Sequence, residues 1–99
     1  EYDADIAGVI TYQTVENDKL ALRIAIEQAI DGEGACVLTV NDGDAEKFHG
    51  VALMEANSNY YSCAFNVSLN NFEKGQYNFE VSLESDSQKG KINGGFVYE

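Results

Sequence analysis

Apolar and polar side chains alternate along most of this chain, in short runs separated by polar turns. The clearest run is "QYNFEVSLES" at residues 76–85, where Tyr77, Phe79, Val81 and Leu83 share one face. Side chains of a strand point to opposite faces in turn, so this pattern predicts a half-buried β-strand. "YYSCAFNVSLNNF" (60–72) groups Cys63, Phe65, Val67 and Leu69 in the same way, and "ACVLTV" (35–40) groups Cys36, Leu38 and Val40. "IAGVITYQTV" (6–15), "KFHGVALMEA" (47–56) and "KINGGFVYE" (91–99) predict three more strands. The second of these reads as an edge, guarded by charges and Gly50. The third carries a predicted bulge at Gly94 and Gly95.

"LALRIAI" (20–26) is ambiguous, because Leu, Ala and Arg, with the Glu and Gln that follow, are good helix formers. Its strict alternation, with Leu20, Leu22, Ile24 and Ile26 on one face, favours a strand around Ile24. "ENDK", "DGEG", "NDGD", "NSN", "EKGQ" and "SDSQKG" supply turn chemistry between the runs. Seven strands spaced in this way, with no helical pattern, predict an all-β, seven-stranded antiparallel β-sandwich. At 99 residues the chain is expected to be one domain, 1–99.

A chain of this length buries only about 60–65% of its unfolded surface, so a covalent staple would matter. Cys36 and Cys63 both fall on predicted inward faces, where they are placed to pair as one disulfide. The alternative is two free buried cysteines in a reducing compartment. A disulfide implies an oxidising one, and thus an exported, extracellular or cell-surface protein.

Charge narrows the partners. There are 17 Asp and Glu against 6 Lys and Arg, a formal net charge of −11. Phosphate-rich ligands require clustered cations, so nucleic acid is not expected as a partner and anionic membrane is a poor candidate. No apolar run approaches the roughly 20 residues of a membrane-spanning helix, so direct membrane insertion is not expected. The start, Glu1-Tyr2-Asp3, lacks the basic and apolar regions of a leader peptide and reads as a mature terminus or a domain boundary.

Candidate chemistry is sparse. Asp42, Asp44 and Glu46 alternate like the opening of a calcium loop, but Lys47 and Leu53 occupy the places an EF-hand gives to Gly and Glu. A looser calcium site remains as an alternative to a solvated hairpin; Asp31 and Glu33 carry a still weaker signal. His49 is the only histidine and sits in a predicted edge strand or loop, a poor place for a general base. No enzyme activity, cofactor or resident metal is expected. Tyr60 and Tyr61 are adjacent, so one must face outward, and Tyr2, Tyr12 and Tyr98 are further candidates for exposed rings. Such rings stack on sugars or anchor protein partners. Asn66-Val67-Ser68 is a formal N-glycosylation sequon on an outward face.

One segment carries a resemblance. "LNNFEKGQYNFEVSLES" resembles the corner before the penultimate strand of immunoglobulin-like and fibronectin-III-like sandwiches. By that resemblance Leu69 and Phe72 end one strand, Gly75 makes the turn, and Tyr77 is a buried corner tyrosine with its hydroxyl bonded to nearby backbone. The wider arrangement from Ala35 to Ser85 is similar to secreted bacterial immunoglobulin-like modules. It departs from antibody domains, since Cys63 precedes the corner instead of following Tyr77 by two residues. The resemblance implies a non-catalytic, monomeric module of a larger exported protein, a spacer or adhesion domain with a protein or surface-glycan partner. The alternative is a small ligand-binding accessory module, holding sugar through Tyr60 and Tyr61 or calcium through Asp42, Asp44 and Glu46.

Overall fold

The computed structural model describes residues 4–99. Nine strands are present among them: β1 (Ala4–Asp5), β2 (Gly8–Glu16), β3 (Lys19–Ile26), β4 (Ala35–Asp42), β5 (Ala45–Leu53), β6 (Glu55–Ala56), β7 (Tyr61–Ser68), β8 (Gly75–Glu84) and β9 (Gln88–Tyr98). One sheet has the order β1-β9-β8-β4-β5 and faces a second with the order β2-β3-β7-β6. The architecture is an all-β, sandwich-like pair of sheets. The expected count of seven strands is corrected by two strands of two residues each, β1 and β6. The expected antiparallel pairing is corrected at one place, because β1 lies parallel to β9.

Both short strands arise where the chain changes sheet. The apolar run at 6–15 is not one strand. Ile6 is buried and its N–H donates to the carbonyl of Lys89 at 2.9 Å, which holds the first residues along β9. Ala7 then crosses over, and β2 pairs with β3. The Gln28 carboxamide splints this crossing, accepting from Ala7 N–H at 2.8 Å and donating to the Asp5 carbonyl at 3.0 Å. The run at 47–56 divides similarly. Met54 N–H donates to Gly34 at 2.8 Å, and Glu55 and Ala56 then pair with β7 in the opposite sheet. Alternation identifies a strand but not the partner it chooses, so both crossings escape the pattern.

The interior follows the predicted parity. Leu20, Leu22, Ile24 and Ile26 of β3, with Cys63, Phe65 and Val67 of β7, face Cys36, Leu38 and Val40 of β4 and Tyr77, Phe79, Val81 and Leu83 of β8. The ambiguous 20–26 segment is strand throughout, its register against β7 unbroken from Lys19↔Ser68 to Ile26↔Tyr61. Each fully buried aliphatic side chain contributes about 1.5–3 kcal/mol, which outweighs the helix propensity of an isolated segment. Cys36 and Cys63 form a disulfide between the two sheets, with Cα atoms 6.5 Å apart.

Turn chemistry fits the hairpins. Asn17 and Asp18, at φ 53° and 60°, make the two-residue connection between Glu16 and Lys19. Two left-handed residues match the twist of the strands they join, and Asn and Asp tolerate that conformation best after Gly. The bulge expected at Gly94 and Gly95 is absent: register is continuous through Asn78↔Gly95 and Phe79↔Gly94. Gly94 instead leaves room for the Phe79 ring, which a Cβ there would meet at 2.5 Å. Gly90 is needed for a tighter approach, since its Cβ would lie 1.9 Å from the Ile6 carbonyl oxygen. The two register shifts fall elsewhere, between Ile10 and Tyr12 and between Val40 and Asn41.

The disulfide closes a loop with a sequence separation of 27. By chain entropy a loop of that length is worth about 3.5 kcal/mol. Replacing both cysteines by alanine is expected to lower the unfolding free energy by roughly 3–4 kcal/mol in urea titrations, with the slope changing as the unfolded chain expands. A loss below about 1 kcal/mol would remove the bridge from its place as the main staple.

Candidate functional site

The residues of the predicted corner do come together. β7 ends at Ser68, and Leu69 is wholly buried, with its N–H donating to the Asp18 carbonyl at 2.8 Å. Phe72 N–H then donates to Leu69 at 2.9 Å, folding the connection into a turn. Gly75 opens β8 at φ 150°, a conformation that side chains disfavour. Tyr77 is 4% exposed, and its hydroxyl donates to the Glu73 carbonyl at 2.6 Å. Its ring meets Phe72 edge-on at 5.3 Å and stacks on Phe96 at 5.4 Å. This is a packed, hydrogen-bonded corner.

A second tyrosine closes the same end of the sandwich. Tyr98, a candidate exposed ring by sequence, is buried, and its hydroxyl donates to Asp18 Oδ1 at 2.7 Å. Lys74 covers the ring, its Nζ 4.1 Å from the centroid, and donates to the Glu99 carbonyl at 3.0 Å. The hydrogen bond to Asp18, then burial, then the Asp18 charge hold the Tyr98 phenol above its ordinary value of 10.0. The link joins residues 80 positions apart, so no local pattern announces it.

At the other end Gln88 is the buried polar hub. Its amide donates to the Ala29 carbonyl at 3.0 Å, while its oxygen accepts from Asp31 N–H at 2.9 Å and from the Ser85 hydroxyl at 2.7 Å. Ser87 also donates to the Asp31 carboxylate. These bonds tie the connection before β4 to the β8–β9 turn. Among the described residues no buried side-chain nitrogen or oxygen lacks a partner. A catalytic or ligand-binding polar group held ready in the interior would stand out against that background.

The remaining candidates are dispersed. Asp42, Asp44 and Glu46 are exposed, and among the described residues no three His, Cys, Asp or Glu side chains gather as a metal site. His49 is exposed on β5, its Nδ1 3.4 Å from the Thr39 hydroxyl, and both cysteines are spent in the bridge. Asn66 is exposed on β7. Tyr2 lies outside the described residues.

The adjacent tyrosines separate as alternation requires. Tyr61 packs against the core, while Tyr60 is 41% exposed. Tyr60 borders a shallow groove of about 390 Å³ on the outer face of the four-stranded sheet, whose floor includes Ala25, Ser62 and Ala64. Arg23 borders it too, its guanidinium carbon 5.6 Å above the exposed Tyr12 ring. The sequence contained the signal for this groove, in the small outward residues of 21–25 and 62–64, but their adjacency depends on β3 pairing with β7. Comparison of the chain with protein-family models, with curated proteins and with solved structures gives no match.

Tyr77→Phe is expected to cost about 1 kcal/mol in urea unfolding, the worth of one hydrogen bond whose buried acceptor loses its donor. No change in stability would detach the hydroxyl from the corner. Tyr98 gives a pH signature. Its folded-state value is raised, so the folded protein holds that proton more tightly than the unfolded chain. The resulting stabilisation is complete below the ordinary tyrosine value and is lost as pH rises above it through the folded value. Asp18→Asn should bring the phenol back toward its ordinary value in an absorbance titration. An unchanged titration would show that Asp18 does not hold it.

Proposed function

We propose that this chain is a non-catalytic, immunoglobulin-like module of an exported protein, serving as a spacer or protein-interaction domain. The observation that carries the reading is a sandwich tied across its two sheets by a disulfide, with its first and last strands leading to opposite ends. Ala4 lies beside Gln88 at the start of β9, and the chain leaves β9 after Tyr98. The 11-residue strand between those points spans about 33 Å, against a longest molecular axis of 39 Å. A module traversed from end to end in this way separates whatever flanks it.

Strand order supports the family reading. β2-β3-β7-β6 opposite β9-β8-β4-β5 follows the order A-B-E-D opposite G-F-C-C′ of immunoglobulin-like sandwiches, with β1 added as a short parallel strand outside β9. The bridge then joins strands C and E instead of the B and F strands of antibody domains. A disulfide fits an oxidising compartment, and no helix among the described residues is long and apolar enough to cross a membrane. A non-catalytic reading is supported by both cysteines being held in the bridge and by His49, whose Nδ1 lies 3.4 Å from the Thr39 hydroxyl at the limit of a hydrogen bond.

The Tyr60 groove favours a second reading, a weak saccharide-binding accessory module, in which a ring stacks on Tyr60 over the small floor. A glycan array and saccharide titrations followed by calorimetry separate the two. The spacer reading expects no saturable binding. Reproducible binding that Tyr60→Ala abolishes, with the melting midpoint unchanged, would replace it with the second reading.

A further inference from the structure

Strand β2 changes parity in its middle. Ile10 and Val15 both pack against the core, although strict alternation would send them to opposite faces. The register shift between Ile10 and Tyr12 resolves this. Ile10 opposes Ile24 and Tyr12 opposes Arg23, so Thr11 is an inserted residue and the strand carries a β-bulge. Without the insertion Tyr12 would share the inward face with Ile10. With it the ring turns to the outer face of the four-stranded sheet, where it is 46% exposed.

The bulge builds one end of the groove that Tyr60 borders. Thr11 lines that end, and Tyr12 lies beneath the Arg23 guanidinium, whose carbon is 5.6 Å from the ring centroid. Arg23 is the only arginine in a chain with 17 Asp and Glu. Among the described residues no carboxylate lies within ion-pair distance of it. A guanidinium presents a planar fork of donors that takes a carboxylate through two parallel hydrogen bonds. Here the fork is steadied by a ring and left unconsumed by an acid.

The other end has the opposite character, for Glu27 and Tyr60 border the groove there. Between the ends Arg23 pairs with Ala64 and Ala25 with Ser62, so small side chains keep the floor low. The Ser62 hydroxyl accepts from Asn57 Nδ2 at 3.0 Å, which leaves its own proton for a ligand oxygen. From Ala64 to Tyr60 the chain advances four residues, about 13 Å of strand. That length exceeds one sugar ring and accommodates two. The volume of about 390 Å³ lies at the lower end of the roughly 300–1,000 Å³ found for small-molecule sites.

We propose, on the saccharide reading of this groove, that its ligand is an acidic disaccharide unit. The carboxylate of a uronic-acid residue pairs with Arg23, and the neutral ring joined to it stacks on Tyr60. Glu27 sets the direction, since it repels a carboxylate at the Tyr60 end and accepts from sugar hydroxyls instead. The formal net charge of −11 narrows the ligand further. One arginine neutralises one carboxylate, and a densely charged chain would leave its other anions facing an acidic surface.

The test is a glycan array that carries uronate-containing oligosaccharides beside their carboxyl-reduced and sulfated counterparts. Calorimetry then follows the retained uronate oligosaccharide against variants of the chain. Carboxyl reduction should weaken binding about tenfold or more, the loss of a charge-assisted pair. Arg23→Gln should produce the same loss and remove the discrimination between the two forms, with the melting midpoint unchanged. Tyr60→Ala should weaken both forms alike. Equal retention of uronate and carboxyl-reduced sugars, lost in Tyr60→Ala, would overturn the role of Arg23 and leave the saccharide reading standing. No retention of any sugar would overturn both. A preference for the sulfated forms, or a uronate preference that survives Arg23→Gln, would also overturn the proposal.

Discussion

The bridge between Cys36 and Cys63 is the constraint on which the two sheets depend. A chain of 99 residues has little interior to spare, and its sheets meet through a single layer of side chains from each side. Both cysteines sit on strands flanked on either side within their own sheets, β4 between β8 and β5, and β7 between β3 and β6. Fixing one pair of Cα atoms therefore fixes the relative placement of six strands through the ladders that join them. The apolar contacts then have less chain entropy to overcome, since the unfolded chain is already folded back on itself.

At either end of the sandwich a polar knot does what the thin core does not. Tyr77, Tyr98, Asp18 and Lys74 gather three chain segments at one end, and Gln88 gathers two at the other. Every partner in these knots comes from a turn or a strand end, where backbone groups would otherwise have no ladder to join. Of the residues that looked like candidate chemistry they take up Tyr98 and Asp31. Outside these knots the surface offers the groove beside Tyr60 and the open side of β5.

Most of the fold was legible because alternation reports burial directly. Leu20 to Ile26 and Tyr77 to Leu83 each place every second residue inside, and the inward cysteines follow from the same parity. The pattern says nothing about which sheet a strand joins, so the crossings at Ala7 and Met54 and the two short strands were not foreseen. Gly94 and Gly95 misled for a related reason. A glycine in a strand signals a missing side chain, and whether a bulge or a neighbouring ring takes the space is decided by the opposite strand, here by Phe79. Tyr98 had an inward parity of its own, yet its partner Asp18 lies in a distant turn that no sequence window includes.

The bridge also has a topological consequence. It closes the chain from residue 36 to residue 63 into a covalent ring, and β5 and β6 lie wholly inside that ring. A strand with one free end can leave its own fold at a single hinge and be traded with a neighbour. β5 has no such freedom, because both of its flanks are anchored to the same crosslink.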